Sequence, residues 1–215
     1  MEIKTIFLIL FIVVSVLHLV SLFAKQGGLF KAITKSLLMP LLFGVYFFGV
    51  QNMFWPIALA IIFGWAGDVF LLKIESLVRF RCGLASFLLG HLAYILALIS
   101  FAQPFNTNAL AVSFAVAVAF GITMYKFVHP NREMKIPVII YETVITAMAV
   151  LAFQVFLNKG SPLGAFVFGG SILFLVSDSI LARFTFGKKP KYGDFWVMAT
   201  YIPAQLCIVL GFCGL

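Results

Sequence analysis

Apolar residues fall along this chain in long, nearly unbroken runs, without the alternation of a strand or the one-sided stripe of a surface helix. A membrane-crossing helix needs ~20 mostly apolar residues, within ~17–25. Eight such runs can be cut out, at 5–24, 33–51, 54–72, 83–102, 108–128, 136–157, 162–185 and 193–213, joined by short connections. The first is too long for the core of a cleaved leader and no small-residue cleavage site follows it, so it reads as a retained helix. Pro40, Pro56, Pro137, Pro162 and Pro203 lie in or at the ends of runs, where proline is tolerated if neighbouring helices satisfy the carbonyls it frees.

Composition narrows the class. The chain has 215 residues, 63% of them apolar and 10% charged. A water-soluble domain averages ~45–50% apolar and ~25% charged, so a soluble enzyme, a disordered chain and a coiled coil are excluded. The expectation is an all-α, polytopic membrane bundle of eight transmembrane helices, one domain over residues 1–215. The 26 phenylalanines are lipid-facing bulk.

The net charge of +8 would suggest nucleic acid in a soluble protein, but here position decides, and no nucleic-acid partner is expected. Lys25, Lys31 and Lys35 lie around the first connection, and Lys73, Arg79 and Arg81 around the third. Lys126, Arg132 and Lys135 mark the fifth, and Arg183, Lys188, Lys189 and Lys191 the seventh. Only Lys4 and Lys159 fall on the other side. The positive-inside rule then puts the odd connections in the cytosol and both termini on the non-cytosolic side. These charges are mainly topology determinants, with attraction to lipid headgroups second. Cys82, Cys207 and Cys213 form no CxxC pair, and the histidines fall on separate segments, so neither a disulfide framework nor a metal site is expected.

Three carboxylates stay inside the runs: Asp68, Glu142 and Asp178. A charge at mid-bilayer costs ~2.5–3.5 kcal/mol on insertion scales, which makes such residues functional candidates by default. Measured from the basic ends at ~1.5 Å per residue, Asp68, His91, Glu142, Asp178 and Tyr201 all lie ~7–15 Å deep. One shared layer suggests a cavity toward the cytosolic leaflet. His91 and Tyr94 share a helix face, as do Tyr201 and Gln205. Gly64 and Gly67 beside Asp68, and Gly169 and Gly170 before Asp178, permit close helix approach. Asp68 precedes His91 by 23 residues, and Asp178 precedes Tyr201 by 23, which suggests a parallel repeat of two four-span halves. The plainer readings are a lone aspartate bound to a helix end or a water, a packing role for His91, and a structural Glu142 answering Lys35 or Arg183. His18 and His129 read as structural or solvated.

The stretch Phe63-Gly-Trp-Ala-Gly-Asp-Val-Phe-Leu-Leu72 resembles the Gly-Asp motif of the YhhN-like lysoplasmalogenase family. Phe87, His91 and Tyr94 resemble its Phe-x3-His-x2-Tyr pattern, Tyr141 with Met148 its sixth span, the stretch from Gly169 to Ala182 its second Asp motif, and Tyr201 with Gln205 its last span. The resemblance covers nearly the whole chain with the same eight-span layout. It departs in the second span, where the family's Lys-Pro is Lys35-Ser36, with Pro40 later. It implies an integral-membrane hydrolase, in the inner membrane if the source is bacterial. Its substrate would be a lysophospholipid with a vinyl ether, cleaved with water to a fatty aldehyde and glycerophosphocholine or glycerophosphoethanolamine, without a cofactor.

A vinyl ether is cleaved by protonating its double bond and letting water attack the oxocarbenium ion, which needs one carboxylic acid and one carboxylate, as in glycoside hydrolysis. The apolar sequence around Asp68 suits the acid, and Ser177 and Ser179 beside Asp178 suit the ionised base, with the reverse assignment open. His91, Tyr94, Glu142, Tyr201, Tyr141 and Gln205 would orient water or carboxylates, and Lys35 and Arg183 would hold the phosphate. Two other classes remain: a proton- or cation-coupled transporter using the same carboxylates, and a lysophospholipase, for which no GxSxG elbow is present. No feature sets an oligomeric state.

Overall fold

The computed structural model describes residues 2–24, 28–73, 76–159, 162–188 and 190–214, so that Lys25, Glu75 and Lys189 lie outside the described residues. Among these, the chain is all-helical: α1 (Ile3–Phe23), α2 (Gly28–Phe47), α3 (Trp55–Phe70), α4 (Leu77–Phe101), α5 (Thr107–Val128), α6 (Lys135–Lys159), α7 (Pro162–Thr185) and α8 (Gly193–Phe212). Each expected run is matched by a helix. Seven helical segments are long and apolar enough to cross a membrane. The exception is α3, with 16 residues. Its run ends in a 3-10 turn, Leu71–Lys73. The α-helical part rises ~24 Å and the turn adds ~6 Å, together the ~30 Å of a hydrocarbon core. Large apolar side chains such as Val112, Phe114 and Ile136 stand exposed, which in water would be an aggregation hazard and in lipid is the expected surface. The protein is an integral membrane protein.

Helix α4 departs from expectation. It begins at Leu77, six residues before the expected edge, and carries Arg79 and Arg81 within its first turns. His91 therefore sits fourteen residues into α4, ~21 Å along it and ten residues past Arg81.

The chain divides into two compact units, Met1–Ala97 and Leu98–Cys213. In the first, α1 packs on α2 and α2 on α3. The core is Leu38, Met39, Leu42, Tyr46, Ile57 and Ile61, all essentially sealed from solvent. Pro40 lies inside α2. Having no N–H, it leaves the carbonyl of Ser36 without its helical partner. The indole of Trp65 on α3 donates to that carbonyl at 3.0 Å. The Tyr46 hydroxyl ties down the start of α3, accepting from the Phe54 N–H at 2.9 Å and donating to the Phe54 carbonyl at 3.1 Å. His18 is buried, with Nδ1 2.8 Å from the Thr34 hydroxyl, so the plainer structural reading of this histidine fits its surroundings.

In the second unit α7 lies along α8, with α6 on α7 and α5 on α6. The approach of α7 to α8 requires a residue without a side chain, since a Cβ on Gly170 would come within 2.7 Å of the Ala204 carbonyl oxygen. The connection before α5 is pinned to α6: Gln154 accepts from the Asn106 N–H at 3.0 Å, and Asn158 donates to the carbonyls of Ala102 and Pro104. Asn106 also caps α5, its Oδ1 accepting from the Ala109 N–H at 3.0 Å.

Candidate functional site

Two polar clusters sit inside these apolar helices, one in each unit. In the first unit Asp68 lies near the end of α3, two residues before Phe70, and is 2% exposed. Its partner comes from α2: Lys35 Nζ stands 3.4 Å from Asp68 Oδ1, with the lysine side chain 17% exposed. A buried carboxylate is tolerable only when paired. The glycine before it, Gly67, lets α4 close in, since a Cβ there would meet the Phe87 ring at 2.6 Å. One turn along α4 from Phe87 stands His91, with Tyr94 three residues further, both 1% exposed.

In the second unit Asp178 is half-buried on α7. The Tyr141 hydroxyl, from α6, donates to its Oδ2. Glu142, the next residue on α6, is 8% exposed, and its Oε2 has no hydrogen-bond partner among the described residues. On α8, Tyr201 packs edge-on against Phe174 of α7 at 5.3 Å between ring centres, and Gln205 lies one turn on, buried. The guanidinium of Arg183 lies 5.0 Å above the ring of Phe127.

Of the residues expected from sequence, Lys35 is brought to Asp68 and Tyr141 to Asp178. Other pairings fall differently. Ser177 donates to the Val197 carbonyl at 3.0 Å and Ser179 to the Leu175 carbonyl at 2.7 Å. Their hydroxyls are spent on backbone, because consecutive helix residues point ~100° apart and cannot all face one carboxylate. The donor to Asp178 is instead a phenol from another helix. Lys35, expected at a phosphate or opposite Glu142, reaches Asp68.

The model of the YhhN family matches residues 30–212. The chain belongs to the YhhN family. Among curated proteins it is similar to lysoplasmalogenase TMEM86B of Rattus norvegicus, 30% identical over 147 residues, covering 67% of this chain and 55% of that protein. TMEM86B of Homo sapiens is 29% identical over 128 residues, covering 60% of this chain and 51% of that protein. The lysoplasmalogenase of Mycobacterium tuberculosis (strain CDC 1551 / Oshkosh) is 28% identical over 139 residues, covering 62% and 51%. The chain spans about half the length of the curated relatives it matches. No solved structure matches it.

Proposed function

We propose that this YhhN-family chain hydrolyses the vinyl ether bond of lysoplasmalogens, releasing a fatty aldehyde and glycerophosphocholine or glycerophosphoethanolamine. The relatives named lysoplasmalogenase support the reaction class. The observation that carries the residue assignment is Asp68, a carboxylate almost sealed within apolar helices and held by Lys35. An ion pair among apolar helices is costly, and that cost argues for chemistry.

In this reading one carboxylic acid transfers a proton to the double-bond carbon next to the alkyl chain. The positive charge forms on the carbon bonded to the ether oxygen, a carboxylate stabilises it, and water adds there. The hemiacetal loses the glycerol oxygen as an alcohol, and the water oxygen becomes the aldehyde oxygen. The ion pair with Lys35 suits Asp68 to the carboxylate role, taking the water proton and facing the cation. The acid is then Asp178, oriented by Tyr141. This reverses the assignment made from neighbouring residues, which could not include Lys35. From the distribution of cations we assign the substrate's approach to the cytosolic leaflet.

The test is product analysis by mass spectrometry with the purified protein in detergent and a panel of lysolipids. The reading expects aldehyde from the vinyl ether substrate alone. In heavy water that aldehyde carries one deuterium on the carbon next to the carbonyl. Free fatty acid from an ester lysolipid would mark a lysophospholipase instead. Absence of turnover, with gradient-driven flux in liposomes, would mark a transporter.

A further inference from the structure

Within the second unit an elongated cavity of about 670 Å³ runs between α5 and α6. Leu110 and Ile122 line it from α5, and Val138 and Leu151 from α6. This is the size of a small-molecule pocket, ~300–1,000 Å³. Its wall is apolar except for a few groups. The hydroxyls of Thr143 and Thr146 each donate to a carbonyl of their own helix. Glu142 also lines it, nine-tenths buried. A carboxyl in an apolar wall costs free energy until a donor meets it.

Three features define what would fit. From Glu142 to Leu151 the groove follows α6 for nine residues, ~14 Å. Only Val128 of α5 is buried and Phe114 is 68% exposed, so the groove is open at its flank, as a chain entering from lipid requires. At the other end, the close of α5, the connection after it and the start of α6 carry three exposed cations, Lys126, Arg132 and Lys135. Tail, donor and anion are therefore wanted in that order.

We propose that this groove holds a single-chain glycerophospholipid, with the alkyl tail running toward Leu151, the free glycerol hydroxyl donating to Glu142, and the phosphate at the cationic end. The choice of a lipid rests on the function proposed above, and it deepens that reading by naming what selects a lyso lipid. Acylation of the hydroxyl removes the proton Glu142 accepts and adds a second chain. The ether oxygen of the substrate lies two carbons from that hydroxyl, and the residue before Glu142, Tyr141, bonds the carboxyl of Asp178.

The test uses the wild-type protein in lipid nanodiscs with two probes. One is a saturated hexadecyl ether lysophosphocholine, which has no double bond to protonate. The other is the same molecule with its hydroxyl methylated. Methylation should weaken binding by roughly 3- to 10-fold, the worth of a hydrogen bond. Glu142→Leu should erase that difference, Glu142→Gln, closer in shape, should narrow it, and Ala147→Trp, which fills the groove, should weaken both probes. Equal affinity of the two probes for the wild type, or unchanged binding in Ala147→Trp, would overturn the proposal. Both probes lack the vinyl ether, so the outcomes separate. Discriminating binding without aldehyde release from a lysoplasmalogen would remove the proposed reaction and leave the groove. Equal affinities with normal turnover would do the reverse.

Discussion

Lys35→Met removes an ammonium and keeps an unbranched apolar stem. It leaves Asp68, 2% exposed, without the charge now 3.4 Å from its Oδ1. At that separation and an effective dielectric constant of ~20, the Coulomb attraction is ~5 kcal/mol. Stripping water from both groups offsets part of it, and removing one partner of a buried pair typically costs ~3–5 kcal/mol. Because Lys35 keeps some contact with solvent, the lower end applies, and we expect a loss of ~3 kcal/mol. Asp68→Asn in the same background removes the stranded charge, so the double variant should regain most of that loss. Equilibrium unfolding in mixed micelles of the parent, both single variants and the double variant gives the cycle. A Lys35→Met protein within ~0.5 kcal/mol of the parent would refute the reasoning, since that is the range of an ordinary surface substitution. A double variant no more stable than Lys35→Met would refute it equally.

Other expectations follow from individual contacts. Tyr141→Phe removes the donor to Asp178 and should slow aldehyde release by roughly 10- to 100-fold with folding intact, checked by initial rates beside a gel-filtration profile. Gly170→Ala places a methyl against the Ala204 carbonyl and should destabilise the protein by ~1–3 kcal/mol, read from the same unfolding assay. Trp65→Phe strands the Ser36 carbonyl freed by Pro40 and should cost ~1 kcal/mol, and a variant with Pro40→Ala added should recover part of it.

The helices were legible because a span must satisfy its backbone internally and bury its side chains in lipid, which writes long apolar runs into the sequence. Edges were less so: α4 begins before Arg79 and Arg81 because a helix can continue past the hydrocarbon boundary into charged residues. The candidate polar residues were also legible, since Asp68, Glu142 and Asp178 stand out against apolar neighbours. Their partners were not. Lys35 and Asp68 are 33 residues apart on different helices, as Tyr141 and Asp178 are 37 apart, and only packing pairs them. Flanking residues misled for the same reason. Ser177 and Ser179 adjoin Asp178 in sequence yet donate to backbone carbonyls. The cavity beside Glu142 left no sequence signal, because its walls are the same apolar residues that face lipid elsewhere.

The measurement closest to the central claim compares aldehyde release from a lysoplasmalogen by the purified wild type, Asp68→Asn, Asp178→Asn and the double variant. If the two carboxyls serve one reaction, each single change should cost at least ~100-fold, and the double should be little worse than the weaker single, as for groups that act as a unit. Full activity in either single variant, with folding intact, would contradict the account.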